Sequence, residues 1–235
     1  MSSIPRVVVP NYTTTLPSNG KTVTYRPYLV KEKKLLMLAK EQGSNEAIVA
    51  AIKQVITNCT LGTVDAEKIG ILDLQYLFLK IRSKSVGEVV EFLIPCQSCK
   101  MKVETQINLD AIEVSKNPKH TNKIMLDDNI GITMKYPDIN SDKILRSGNS
   151  NTTKEMDFIV NAIDTVFDKN QIYYAKDYSE AELKELVDSM TESNYQKIAE
   201  FYQTMPRLTH KVEYKCPRCG VDGTAEFNNI YDFFA

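Results

Sequence analysis

"EFLIPCQSCKMK", residues 91–102, and "VEYKCPRCGVDG", residues 212–223, each place Cys-x-x-Cys between two strand-like runs. The full spacing is C-x2-C-x116-C-x2-C, over Cys96, Cys99, Cys216 and Cys219. A two-residue gap at a hairpin tip aims both sulfurs to one side and lets backbone N–H groups after the first cysteine donate to sulfur. Four such thiolates form the closed tetrahedral shell that structural zinc prefers. Gly220 follows the second pair, where a turn rejoining its strand needs positive φ. Lys100 holds the equivalent place in the first pair, so that half matches less well. Two hairpins facing across one ion make a zinc ribbon, here split by a long excursion. The excursion is no obstacle, because closure entropy grows only with the logarithm of loop length. The spacing therefore predicts one structural Zn2+ held by all four sulfurs. Two other readings stay open: reduced thiol pairs without metal, and a redox pair. Thioredoxin-type pairs sit at a helix N-terminus, whereas these sit between strands.

Outward from the first pair, "MKVETQINL" alternates cleanly. Met101, Val103, Thr105, Ile107 and Leu109 fall on one face, and Lys102, Glu104, Gln106 and Asn108 on the other. Upstream lies a helical block. "KEKKLLMLAKEQ" is a helix closed by Gly43. In the next helix Ile48, Ala51, Ile52, Val55, Ile56 and Cys59 share a stripe, so Cys59 reads as a core thiol. A third helix groups Leu74, Leu77, Phe78 and Ile81, with Asp73 as a candidate cap and Lys80, Arg82 and Lys84 near its end. Before it all, residues 1–30 hold Pro5, Pro10, Pro17 and Pro27 with a polar turn, "PSNGK". This reads as an extended arm with one short strand that must dock on its own domain or a neighbour.

Downstream, "KIMLDDNIGITMKYPDI" reads as a strand pair with a turn at Asp127, Asp128 and Asn129. A loop, "SDKILRSGNSNTTKE", leads to a second helical block. Three capping-box spacings, Thr152/Glu155, Ser179/Glu182 and Ser193/Gln196, precede its helices. The first helix carries the stripe Met156, Ile159, Val160, Ile163 and Phe167. The chain ends in an aromatic tail with Tyr231, Phe233 and Phe234. The predicted organisation is an arm (1–30), a first helical block (31–87), a β region with the first knuckle (88–140), a second helical block (150–206), and the second knuckle with the tail (207–235). The fold class expected is α+β: a helical bundle packed with a small antiparallel β portion containing the split ribbon. The helices between the two knuckles are expected to join the first block in one bundle.

Composition narrows function. The 235 residues are 43% apolar and 25% charged with a formal net charge of −1, enough for a proper core and without a global field for nucleic acid or an anionic membrane. No apolar run approaches the ~20 residues that a bilayer span needs. The N-terminal stretch lacks the hydrophobic core of a secretory signal, so intracellular synthesis with reduced thiols is expected. No Gly-rich phosphate loop, GxSxG or HExxH occurs. The histidines, His120 and His210, read as non-ligands, and four cysteines leave no open coordination position for catalysis. The chain is expected not to be an enzyme and to take no small-molecule substrate. Lys100, Lys102, Lys215 and Arg218 near the cysteines allow an alternative, a zinc-ribbon nucleic-acid-binding regulator, but the near-zero net charge weighs against it.

Three phrases carry a resemblance: "LPSNGKTVTYRPYLVKEKKLL", "LQYLFLKIRSKSVGEVVEF" running into the first cysteine pair, and the late "CPRCG". With them the chain resembles the baseplate hub (hub-assembly) proteins of T4-like contractile-tailed bacteriophages. The resemblance is best over residues 16–110. It implies a structural or assembly role in the tail baseplate, other tail baseplate or hub proteins as partners, and a place in the virion after assembly in the host bacterial cytoplasm. It brings no catalytic residues.

Overall fold

The computed structural model describes residues 7–138 and 152–227, the side chains of 152–155 aside. The chain divides into two compact units, residues 1–115 with 207–235 and residues 116–206. Among the described residues there are six α-helices and four small antiparallel sheets, an α+β architecture. No described helix is long and apolar enough to cross a membrane.

In the first unit, β1 (Tyr12–Thr15) and β2 (Thr22–Tyr25) pair as a hairpin, so the arm holds two strands where one was expected. Leu16, Val23 and Tyr25 are buried, and the backbone N–H of Arg26 donates to Cys59 O at 3.0 Å, so the arm docks on its own unit. Helix α1 (Val30–Gln42) ends at Gly43, whose φ of 72° lets its N–H reach Ala39 O. Ser44 caps α2 (Asn45–Cys59), and Val49, Ile52, Val55, Ile56 and Cys59 form its buried stripe. Helix α3 (Ile71–Val86) buries Leu74, Leu77, Phe78 and Ile81 completely or nearly so.

A second face of α3, Leu72 and Leu79, packs on the β part of the unit. There β3 (Val89–Pro95) pairs with β4 (Lys102–Asn108), Pro95 opposite Lys102. The expected alternation holds in β4: Val103 and Ile107 are buried while Lys102, Glu104, Gln106 and Asn108 face solvent. β5 (Glu113–Ser115) pairs with the start of β10 (Arg207–Lys215), Ser115 opposite Arg207, and β10 pairs along its upper length with β11 (Asp222–Phe227). Phe92 meets Phe227 edge-on at 5.1 Å, closing one core over both cysteine hairpins.

The second unit is a four-stranded antiparallel sheet in the order β6-β7-β8-β9, formed by β6 (Lys123–Met125), β7 (Gly131–Met134), β8 (Ile163–Phe167) and β9 (Ile172–Tyr174). It shares a core with α4 (Thr152–Ala162), α5 (Glu180–Asp188) and α6 (Glu192–Thr204), centred on Ile132, Met134, Ile163, Ile198 and Phe201. These helices thus belong to a unit with its own core and do not join α1–α3 in a single bundle. The helix expected to run through Phe167 stops at Ala162. Ile163, Thr165 and Val166 are β-branched, and β7 and β9 offer pairing on both edges, so the segment becomes a strand.

The expected turn forms, with Asp127 accepting the N–H groups of Asn129 and Ile130. The Ser179/Glu182 capping box is present. The Ser193/Gln196 box is not, because Thr191 starts that helix and accepts from Asn194 N–H. The Thr152/Glu155 side chains and the aromatic tail, Tyr231 to Phe234, lie outside the described residues.

Candidate metal centre

The two cysteine turns are geometric twins. Cys96 N–H donates to Met101 O at 2.8 Å, and Lys100 N–H donates to Cys96 O at 2.9 Å. In the second turn Cys216 N–H donates to Val221 O at 3.0 Å, and Gly220 N–H to Cys216 O at 2.9 Å. Lys100 has φ 61° and Gly220 φ 71°, so the lysine adopts the same left-handed backbone as the glycine. The doubtful match at Lys100 is therefore strain and not a different turn, costing about 1 kcal/mol.

These turns bring all four sulfurs within 4.8 Å of one another. The close pairs cross between hairpins: Cys96 Sγ to Cys219 Sγ is 3.7 Å and Cys99 Sγ to Cys216 Sγ is 3.6 Å. Disulfide sulfurs would sit about 2.05 Å apart. A tetrahedral ion with each sulfur at about 2.3 Å has S···S edges of about 3.8 Å, so the donor set fits a metal ion of that kind. Cys96 and Cys216 are buried, Cys99 is half-buried and Cys219 is exposed.

Electrostatics also favours a cation. The N–H groups of Cys99 and Ser98, working against burial, lower the Cys96 thiol pKa. Cys216 is lowered to about 6, chiefly by the Cys219 N–H and, against burial, by that of Arg218. Cys219 receives the Val221 N–H, yet burial and the neighbouring sulfurs push it up to about 11. The backbone thus stabilises the first thiolates, and their charge opposes the next. A divalent ion at the centre reverses that opposition and deprotonates its ligands.

A polar strut joins the turns. Gln97 N–H donates to Tyr214 Oη and Gln97 Nε2 donates to Thr224 O, each at 3.2 Å. The Tyr214 ring lies across Gly223, where an added Cβ would fall 2.6 Å from Tyr214 Cζ. Sequence reading missed this pairing, although a glycine inside a strand signals close approach.

The other singled-out residues go elsewhere. His210 sits half-buried in β10, opposite Phe227, outside the sulfur cluster. His120 has partners distant in sequence: Nδ1 lies 3.0 Å from Thr204 Oγ1 and Nε2 lies 3.0 Å from Tyr136 Oη. Its ring stacks on Tyr136 and Phe201, and burial lowers its pKa. Cys59 is a core thiol as expected, pushed up to about 11 by burial. Asp73 does not cap α3, which starts after Gly70; it accepts from Ser18 N–H and Ser18 Oγ and anchors the arm. The basic cluster is partly neutralised, since Lys80 and Lys84 converge on Asp110 at 3.2 and 3.1 Å, and Lys84 also reaches Glu88.

Comparison with known proteins bears on the whole chain. Baseplate hub assembly protein gp26 of Enterobacteria phage T4 is 28% identical over 217 residues, covering 92% of this chain and 93% of that protein. No solved structure matches the chain. The family described as T4 bacteriophage base plate protein matches residues 9–235. With both units and both cysteine turns inside that match, the chain belongs to the T4 bacteriophage base plate protein family.

Proposed function

We propose that this protein is a structural or assembly component of the hub region of a contractile phage tail baseplate, stabilised by a structural zinc ion on Cys96, Cys99, Cys216 and Cys219. The family match over residues 9–235 carries the assembly role, supported by similarity to a hub assembly protein of phage T4. Its partners are other baseplate or hub proteins, it acts at the virion tail, and it is made and assembled in the host cytoplasm. The zinc is supported by four cysteine sulfurs within 4.8 Å of one another, with cross-hairpin separations of 3.6 and 3.7 Å close to a tetrahedral edge, an all-sulfur set that suits zinc. When bound, the ion supplies a cross-link between two hairpins. The chain's own residues do the rest: backbone N–H groups hold thiolate charge, and Gln97 and Tyr214 fix the spacing of the turns. Four sulfurs fill the shell, so the site serves as a clasp and not as a catalyst.

Mass spectrometry of purified tails and of baseplate intermediates tests the role; absence of the chain from both rejects it. Metal analysis tests the clasp. Wild-type protein is expected to carry close to one zinc per chain, and Cys96→Ser or Cys219→Ser to lose it. Retention of zinc by both variants rejects the shared site.

A further inference from the structure

The second unit has a cavity of its own, about 340 Å3 in volume, between the β8–β9 end of the sheet and helix α5. Its inner lining is apolar: Val166 and Phe167 of β8 and Leu183 and Leu186 of α5 are all half-buried there. Tyr173 and Tyr178 add two rings set edge-on, their centroids 6.2 Å apart. Ile130 and Tyr178, 37% and 42% exposed, stand at its mouth.

Two carboxylates share this lining, Asp168 and Glu182. Asp168 Oδ1 accepts the N–H groups of Asn170 and Gln171 at 2.7 and 2.8 Å, and its Oδ2 accepts the Tyr173 hydroxyl at 3.0 Å. Glu182 Oε2 accepts Ser179 Oγ–H and Ser179 N–H at 2.7 and 2.8 Å. These donors hold both carboxyls below their ordinary pKa, so both are charged at neutral pH. Among the described residues no lysine or arginine lines the cavity, and neither carboxylate has an ion-pair partner. The lysines nearby in sequence are engaged elsewhere. Lys184 reaches Asp157 at 2.8 Å and Glu180 at 2.7 Å, Lys176 lies 5.4 Å over the Tyr174 ring, and Lys169 acts on Asp127. Residues 116–206 carry four more acidic than basic side chains, so the field of the unit also draws a cation.

An apolar lining with two rings and two uncompensated carboxylates suits a cation on a hydrocarbon stem. Arginine matches it best, because a planar guanidinium both stacks on a ring and forks onto a carboxylate. The exposed Ile130 and Tyr178 at the mouth are apolar surface that a free small cation leaves wet and a protein segment covers. We propose that this cavity receives an arginine side chain from another tail protein, its stem on Val166, Leu183 and Leu186 and its guanidinium against the two tyrosine rings and the carboxylates of Asp168 and Glu182. The proposal rests on the baseplate reading and adds to it a site and the chemistry of its occupant.

The test places a photo-reactive phenylalanine, which keeps the aromatic ring, at position 178 of the full chain during tail assembly in infected cells. The expected adduct maps to another tail protein within a few residues of an arginine, and replacing that arginine with glutamine lowers the yield about tenfold. Asp168→Asn/Glu182→Gln removes both charges but keeps the acceptors of the turn and the cap. It is expected to lower the yield equally, with a melting point close to wild type. Glu185→Gln, outside the cavity lining, leaves the yield unchanged. An adduct on phospholipid, on a second copy of this chain, or on a segment whose arginine can be replaced without loss overturns the proposal. So does an unchanged yield in Asp168→Asn/Glu182→Gln, or an equal loss in Glu185→Gln, which would show general charge attraction and not a site. If the chain is found in tails but position 178 gives no adduct, the arginine site fails while the baseplate reading stands. Absence of the chain from tails and from their precursors removes both.

Discussion

Lys100 and Gly223 show how single positions shape the sulfur cluster. Lys100 holds a left-handed φ of 61° in a turn otherwise matching that of Gly220. Lys100→Gly relieves that strain but loosens the unfolded chain, so it is expected to stabilise by at most about 1 kcal/mol, read as a small rise in Tm with zinc retained. Gly223→Val has the opposite sign. Its side chain would strike the Tyr214 ring and displace the hydroxyl that accepts from Gln97 N–H. A loss of about 2 kcal/mol is expected, with faster removal of zinc by a chelator. Glu32 gives a pH test. Burial opposes its charge, but bonds from Arg26 and Leu29 N–H outweigh burial and lower its pKa below the ordinary 4.5. Its stabilisation is therefore present above that ordinary value and lost as pH falls through the folded one. Glu32→Gln is expected to cost about 3 kcal/mol at neutral pH, and its gap from wild type in thermal melts to shrink under acid. Of these positions only the Lys100 mismatch was visible in the sequence. The partners of Gly223 and His120 are set by cross-strand and tertiary contacts that local pattern does not encode, whereas those of Glu32, Leu29 N–H and Arg26, lie three and six residues before it.

Among elements, the hairpin β3–β4 was legible because one buried face imposes strict alternation on Val103, Ile107 and their neighbours. The cysteine turns were legible because a two-residue gap and a positive-φ position are local features. Strand β8 was not. Ile163 and Phe167 continue the four-residue step of α4, so helical and strand periods coincide there, and pairing with β7 and β9 settles the outcome. Val166→Glu/Phe167→Glu puts two charges into a strand paired on both edges. The expected result is loss of β structure by circular dichroism, with the zinc content unchanged. The arm was read as needing a dock, and its anchor, Asp73, was taken for a cap because an acidic residue in a first turn fits both roles.

At the scale of the molecule, two cores imply two responses. The sulfur cluster belongs to the core that holds Leu72, Phe92, Val212 and Phe227, whereas Ile132, Met134, Ile163 and Phe201 build the other. Chelation is expected to remove hydrogen-exchange protection from residues 89–112 and 207–227 while residues 123–134 and 156–204 keep theirs. Equal loss in both would show that the ion supports the whole chain. Sequence pattern gave the α+β class, but the division into units rests on which side chains meet, and the stripes of α4 to α6 do not reveal which sheet they cover.

The short ladder between β5 and β10 sets Ser115 opposite Arg207. The ninety-one residues between them leave and re-enter at adjacent points of one sheet. The long detour between the cysteine pairs is thus pinned at its base by main-chain bonds, and an ion bound by the four sulfurs would have only the last few residues left to bring into register. For the same reason a change in the length of the intervening segment is expected to leave its two attachment points, and the cysteine turns beyond them, in place.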